Sequence, residues 1–261
     1  MNETPEDRVL VRREGPIAIL TLNFPKRLNA FGLAMREQMW NRLLELESDE
    51  DVRAIVLTGA GGNFCAGGDI TEMESRPVLK GRMRMELAVR IFRLLVTGPK
   101  PFICAVEGNA AGCGVSFAAA SDYCVAASDA KFKIAFIKVG LIPDVGGLWS
   151  IPRKIGHRKA MELAAFAEPF GAEQALQMQL INEVCEPGRS LERAVAVAGK
   201  FAANPPMANA LLRAALNAEA DTVDDACQAE ITYQAALQNS ADFGEAAKAF
   251  LEKRPPRFTG R

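Results

Sequence analysis

Ser116, Asp144 and His157 follow one another in the chain order of a hydrolytic triad. Such a serine needs the frame Gly-x-Ser-x-Gly, whose glycines allow a sharp strand-to-helix turn. The frame here is Gly114-Val115-Ser116-Phe117-Ala118, so the second glycine is missing. Asp144 and His157 also stand close in sequence for that fold, and the triad reading is set aside. His157 is the one histidine, which removes histidine-cluster metal sites. In Ile155-Gly156-His157-Arg158-Lys159 it reads as the start of a surface helix, solvent-facing and not catalytic. Cys65, Cys104, Cys113, Cys124, Cys185 and Cys227 form no Cys-x-x-Cys pair. They read as free thiols in a reducing compartment rather than as metal ligands, and no metal is expected. Gly59-Ala60-Gly61-Gly62-Asn63-Phe64 follows a strand but ends on Phe64, so it fails the dinucleotide-binding fingerprint.

Two other segments carry more chemistry. They are Asn63-Phe64-Cys65-Ala66-Gly67-Gly68-Asp69-Ile70 and Val106-Glu107-Gly108-Asn109-Ala110-Ala111-Gly112-Cys113-Gly114-Val115-Ser116-Phe117. Each places small residues where a strand gives way to a loop and then a helix, and small side chains let backbone approach a ligand closely. Unbonded N–H groups at a helix start favour negative charge. Two such starts facing each other would form a two-donor oxyanion hole. Each segment alone is equally consistent with tight packing.

The elements that must position these groups follow from periodicity. Val9-Leu10-Val11 and Ile17–Leu22 flank Glu14-Gly15-Pro16 and read as two strands joined by a turn. Met35, Met39, Leu43 and Leu46 recur at helical spacing, as do Leu87, Ile91, Leu94 and Leu95. Ala54–Leu57, Phe102–Val106 and Tyr123–Ala126 read as buried strands, and a buried helix starts near Gly112. The alternation argues an α/β class. From Glu168 onward helical periods dominate, with helices expected over Ala208–Asn217, Val223–Leu237 and Phe243–Leu251. Asn204-Pro205-Pro206 divides a core, residues 1–203, from a helical segment, residues 204–261. The 261 residues are 49% hydrophobic and 24% charged, within the usual range for a soluble globular chain. Lys plus Arg number 31 against 32 Asp plus Glu, so there is no basic field for nucleic acid. The longest uncharged run is too short for a membrane span. Glu3, Glu6 and Asp7 argue against a signal or transit peptide, and Thr259-Gly260-Arg261 is no peroxisomal address. A cytoplasmic protein is expected.

Taken together, the motifs resemble the crotonase superfamily of enoyl-CoA hydratases and isomerases. The matching stretches are Asn23–Ala30, Phe64–Ile70, Gly108–Gly114, Gly140–Gly147 and Ala249–Arg254, in the family's order and at its spacing. The resemblance implies a spiral of strand–strand–helix turns whose helical C-terminal region builds trimers, often paired into hexamers. It implies an acyl-CoA thioester substrate, with coenzyme A part of the substrate and no separate cofactor. The Gly68 and Cys113 N–H groups would hold the thioester oxygen as it becomes an enolate. Lys26, Arg27, Ala30, Ala66, Asp69 and Ile70 would line the coenzyme A site, with Phe250 and Lys253 reaching a neighbouring subunit's coenzyme A.

The acid/base positions depart from the hydratase pattern. Ser116 and Phe136 stand where hydratases carry two glutamates, and neither serves as a general base at neutral pH. Asp144, in a Pro143-Asp144-Val145-Gly146-Gly147 loop similar to that of isomerase members, is the carboxylate left to move a proton. Phe136 and Ile142 are expected to wall it and raise its pKa. The bland alternative is an aspartate that caps a turn. The resemblance therefore implies an isomerase that shifts a double bond through a thioester enolate. The alternatives are a hydratase, which would need Glu74 or Asp69 to enter the site, and a CoA-ester-binding protein without turnover.

Overall fold

The first two strands, β1 (Val9–Glu14) and β2 (Ile17–Leu22), pair antiparallel through the turn at Gly15, and every later pairing in their sheet is parallel. In the computed structural model, which describes residues 7–75, 77–218, 220 and 222–261, the chain continues through α1 (Leu33–Ser48), β3 (Ala54–Gly59), α2 (Val78–Thr97), β4 (Phe102–Val106), β5 (Asn109–Ala111), α3 (Cys113–Ala120), β6 (Tyr123–Ala127) and β7 (Lys131–Lys133). Then follow α4 (Gly147–Ile155), α5 (His157–Phe166), β8 (Phe170–Gly171), α6 (Ala172–Gln177), β9 (Glu183–Cys185), α7 (Ser190–Ala202), α8 (Pro206–Ala218), α9 (Val223–Gln238) and α10 (Ala241–Glu252). The large sheet has the order β1-β2-β3-β4-β6-β9, and β5, β7 and β8 form a smaller one.

Parallel neighbours require a crossover between them, and the crossover explains the spiral. β4 in the large sheet leads to β5 in the small one, and β6 leads to β7. β3 leads to a single bridge residue, Cys65, which pairs with Ala110 of β5. Each turn thus adds one strand to each layer.

Residue alternation along the strands sends side chains to two buried faces. Ile17, Ile19, Ala54, Val56, Ile103, Ala105 and Val125 meet Ala194, Ala198 and Ala202, which form a stripe of small residues along α7. Leu20, Leu22, Ile55, Leu57, Phe102, Cys104 and Val106 face the other way, into a core that includes Met35, Met39 and Leu43 of α1 and Ile91 and Leu95 of α2. The strands that sequence periodicity does not reveal, β5, β7, β8 and β9, have only two or three residues each. Such lengths carry no readable alternation.

The last helices are tied to the core by one buried cation. Arg213 of α8 donates from Nε to Asp122 at 2.7 Å, from Nη2 to the Leu95 carbonyl at 2.7 Å, and from Nη1 to the Gly98 carbonyl. Asn217 donates to the Val96 carbonyl at 2.9 Å. These carbonyls belong to the end of α2, where the last carbonyls of a helix find no N–H donors within the helix. Beyond α10 the chain is not helical. It returns to the core, with Arg53 donating to the Phe258 carbonyl and Asp242 accepting from the Thr259 and Gly260 N–H groups. No helix of the described residues is long and apolar enough to cross a membrane.

Candidate active site

Successive spiral turns bring the two small-residue segments side by side. The Cys65 N–H donates to the Asn109 carbonyl at 2.9 Å, and the Ala111 N–H donates to the Cys65 carbonyl at 2.8 Å. This approach depends on Gly114, where a Cβ would lie 2.7 Å from the Cys65 carbonyl oxygen. It also depends on Gly112, which turns the chain into α3 at φ +51° and ψ −120°, a conformation that glycine alone adopts readily. Cys113 is the first residue of α3, so its N–H has no partner within the helix. The Gly68 N–H likewise has no acceptor among the described residues.

A third segment is stitched to these two. Asn29, fully buried, donates to the Ala60 carbonyl at 2.8 Å and the Asn63 carbonyl at 2.6 Å, and accepts from the Phe24 N–H at 2.8 Å. The Ala66 N–H donates to the Leu28 carbonyl, and the Phe31 N–H to the Gly67 carbonyl. The loop bearing Lys26, Arg27 and Ala30 is thereby fixed against the Gly67-Gly68 turn.

A cleft of about 600 Å³ opens over this junction. Ala66, Gly68, Asp69, Ile70 and Asp144 line it, together with Gly112, while the Cys113 side chain is buried behind it. Arg27, Ala30 and Asp69 border a smaller adjoining pocket of about 240 Å³. Lys26 is exposed beside Arg27 in a short 3-10 turn and lines neither space. Phe250 and Lys253 lie exposed at the end of α10 and line neither space. Phe136 forms part of the cleft wall as expected, but Ile142 is 65% exposed and outside it. Val139 and Leu141 occupy the wall instead.

Four carboxylates border the cleft, and their surroundings separate them. Asp69 caps a 3-10 turn: it accepts from the Thr71 N–H at 2.9 Å, from its hydroxyl at 2.7 Å, and from Arg27 at 2.9 Å. Burial works against the Asp69 anion, but these hydrogen bonds outweigh it and hold the carboxyl below its usual pKa. Glu72 accepts from the Leu33 N–H and pairs with Arg84. Glu74 is exposed at the rim. Asp144 is half-buried, and it alone of the four has a sealed oxygen, Oδ1, that finds no partner among the described residues. Burial pushes its pKa up, and the nearby Arg36 guanidinium only partly opposes that push. Its loop is tight: Val145 is held at φ +49°, uncommon for a β-branched residue, and the Gly147 N–H closes back onto the Asp144 carbonyl at 2.9 Å.

Ser116 is fully buried in α3 and does not line the cleft, while His157 is exposed at the start of α5, so no triad forms. The Cys113 thiol lies 3.9 Å from that of Cys65. Its bond to Cys65 and its burial both raise its pKa, which disfavours a nucleophilic thiolate. All six cysteines are free, with Cys227 exposed on α9. Among the described residues no cluster of His, Cys, Asp and Glu could hold a metal ion. Arg36 is the cleft residue that periodicity could have revealed. It lies on the buried stripe of α1, one turn before Met39 and two before Leu43.

Comparison with known proteins gives this geometry a family. The enoyl-CoA hydratase/isomerase family matches residues 12–261. A 1,2-epoxyphenylacetyl-CoA isomerase of Escherichia coli is 39% identical over 259 residues, 97% of this chain and 98% of that protein. A short-chain-enoyl-CoA hydratase of Clostridium acetobutylicum is 34% identical, covering 95% and 96%. The crystal structure of an enoyl-CoA hydratase from a Polaromonas species superimposes with a TM-score of 0.91 at 33% identity, over 96% of this chain and 99% of that one. The chain belongs to the enoyl-CoA hydratase/isomerase family and has its crotonase fold. It is an acyl-CoA-processing enzyme, and its relatives include both isomerases and hydratases.

Gly114→Ala tests the junction of the two segments. The added methyl group meets backbone, which cannot rotate away, so unfolding in urea is expected to show a loss of about 1–3 kcal/mol, the usual cost of overpacking. A loss of under about 0.5 kcal/mol would show that the two segments tolerate separation.

Proposed function

We propose that the enzyme shifts a carbon–carbon double bond in an acyl-CoA thioester, with Asp144 as the single base. The observation that carries this reading is the Asp144 Oδ1, which has no partner among the described residues, while Phe136 of the cleft wall and Ser116 buried in α3 stand, by the family resemblance, where hydratases carry glutamates. Asp144 takes a proton from C2 of a 3-enoyl thioester. The C–H electron pair becomes a C1–C2 double bond, and the carbonyl pair moves onto oxygen. The Gly68 and Cys113 N–H groups hold that oxyanion, aided by the N-terminus of α3. The dienolate then collapses: the carbonyl re-forms, the double bond moves to C2–C3, and C4 takes the proton back from Asp144. One carboxylate suffices because it ends as it began, and no water is consumed. Lys26, Arg27, Ala30, Ala66, Asp69 and Ile70 hold the coenzyme A portion in this reading. A hydratase has one observation in its favour, Glu74 at the cleft rim. Its exposure makes it a poor partner for the closely held carboxylate pair that water addition needs.

The same reading includes a trimer or a hexamer. Leu212 and Leu216 of α8, Ile231 of α9, and Phe250 and Leu251 of α10 are 57–84% exposed in the single chain, an apolar load that a subunit interface would cover. Phe250 and Lys253 would then reach a neighbour's coenzyme A. Sedimentation at micromolar concentration should give three or six chains, and a monodisperse monomer would overturn the assembly.

Asp144→Asn should lower turnover of a 3-enoyl-CoA by about 10²–10⁴-fold, the contribution of a positioned general base. The wild-type pH profile follows from the sign of the shift. The base is active only when ionised, and its pKa is raised, so kcat/KM should climb with pH through a midpoint above the ordinary aspartate value of about 3.9. Near-wild-type turnover by Asp144→Asn, or faster hydration of crotonyl-CoA than isomerisation by the wild type, would overturn the assignment.

A further inference from the structure

Gly81, Arg84 and Met85 of α2 all line the cleft, and residues at this spacing share one face of a helix. A side chain at position 81 would therefore point into the cleft. The fold gives no reason for its absence. Gly67 and Gly112 also line the cleft, but they stand at φ +97° and +51°, where a side chain is strained. Gly81 has helical backbone, and a Cβ there would meet nothing beyond its own helical turn within 4 Å. At Gly114 the same atom collides with backbone; at Gly81 it has open space before it. Glycine is also, proline aside, the poorest helix former. α2 thus carries an unfavourable residue at a point where only the cleft gains from it.

We propose that Gly81 is a specificity-determining residue: the width it leaves beside α2 admits acyl groups that carry a ring or a branch, which a side chain at that position would exclude. The proposal rests on the acyl-CoA reading of the cleft. The lining is mixed in character. Asp69, Glu72, Glu74, Ser75 and Arg84 contribute polar groups, of which Glu72 and Arg84 offset each other as an ion pair. The gap at Gly81 therefore acts on shape rather than on polarity. Met85, one turn along the same face, and Met73 on the loop before α2 also line the cleft. Their unbranched thioether side chains can refit around a bulky neighbour and make favourable contacts with rings. A straight chain would leave the space beside Gly81 unfilled and forfeit contacts there. A ring of equal carbon number would fill it, approaching the α2 backbone as closely as only glycine allows.

The test is calorimetric binding to the full chain of two unreactive esters of equal carbon number, octanoyl-CoA and cyclohexylacetyl-CoA. The wild type should bind the ring ester more tightly than the straight one, or within about threefold of it. Gly81→Leu should shift the ratio of the two affinities toward octanoyl-CoA by at least about threefold, since a misfit of even one methylene in a pocket is worth about tenfold or more. A smaller shift, or a wild-type preference for octanoyl-CoA above about threefold, would overturn the proposal. Gly81→Ala separates this role from a structural one. Alanine is the better helix former and its methyl group meets no neighbour, so this variant should melt no lower than the wild type. A lower melting temperature would give the glycine a part in packing and overturn the proposal. If the Leu variant does not fold, the wild-type preference and the melting temperature of Gly81→Ala decide the matter. Failure of both esters to bind the wild type would overturn the acyl-CoA reading, and this inference with it.

Discussion

Two backbone hydrogen bonds, Cys65 N–H to the Asn109 carbonyl and Ala111 N–H to the Cys65 carbonyl, hold the site together. They join consecutive turns of the spiral, and they are why the Gly68 loop and the start of α3 share a cleft. No side chain takes part in them. The side chains act by being absent, at Gly112 and Gly114, where a Cβ would twist the chain or collide with the neighbouring carbonyl. Main-chain donors fixed in this way need no reorganisation when charge develops before them, and preorganisation of this kind is the largest single contribution in many enzymes. It also explains why a cysteine is tolerated at position 113. Its thiol packs against Cys65, and the proposed reaction uses only its N–H.

The cleft then sets one carboxylate apart from the others. Asp69 and Glu72 are absorbed into caps and ion pairs that hold the loops, and such bonds stabilise their anions. Asp144 has an unmet oxygen and sits where burial opposes its charge. A carboxylate in that state is a poor contributor to stability and a good proton acceptor. The unusual backbone at Val145 adds to the local cost. The offset lies in the large sheet, whose strands bury both faces, and in Arg213, which satisfies the carbonyls at the end of α2.

Much of this was legible in the sequence, for identifiable reasons. Long periodic runs such as Phe102–Val106 and Met35–Leu46 marked their strand and helix because burial repeats along them. The Gly67-Gly68 and Gly112–Gly114 segments stood out because close backbone approach restricts residue type. β5, β7, β8 and β9 are too short to show a pattern and exist only through their partners. The cleft wall was half legible. Phe136 is in it, but Ile142 turns outward and Leu141 inward, a choice made by the tight loop rather than by hydrophobicity. Arg36 falls on the apolar stripe of α1, the signal that could have marked it, but a charged residue there reads as an interruption of the pattern. The depth at which its charge is buried emerges only when α1 docks.

In the proposed reaction one carboxylate, Asp144, carries the same proton between two carbons. Transfer of deuterium from C2 of a 3-enoyl-CoA to C4 of the 2-enoyl product, followed by mass spectrometry over a single turnover in ordinary water, tests it most directly. Label at C4 is expected in a measurable share of the product, because the Asp144 Oδ1 is shielded from solvent. Product with no label at C4, its new hydrogen drawn entirely from water, would contradict it.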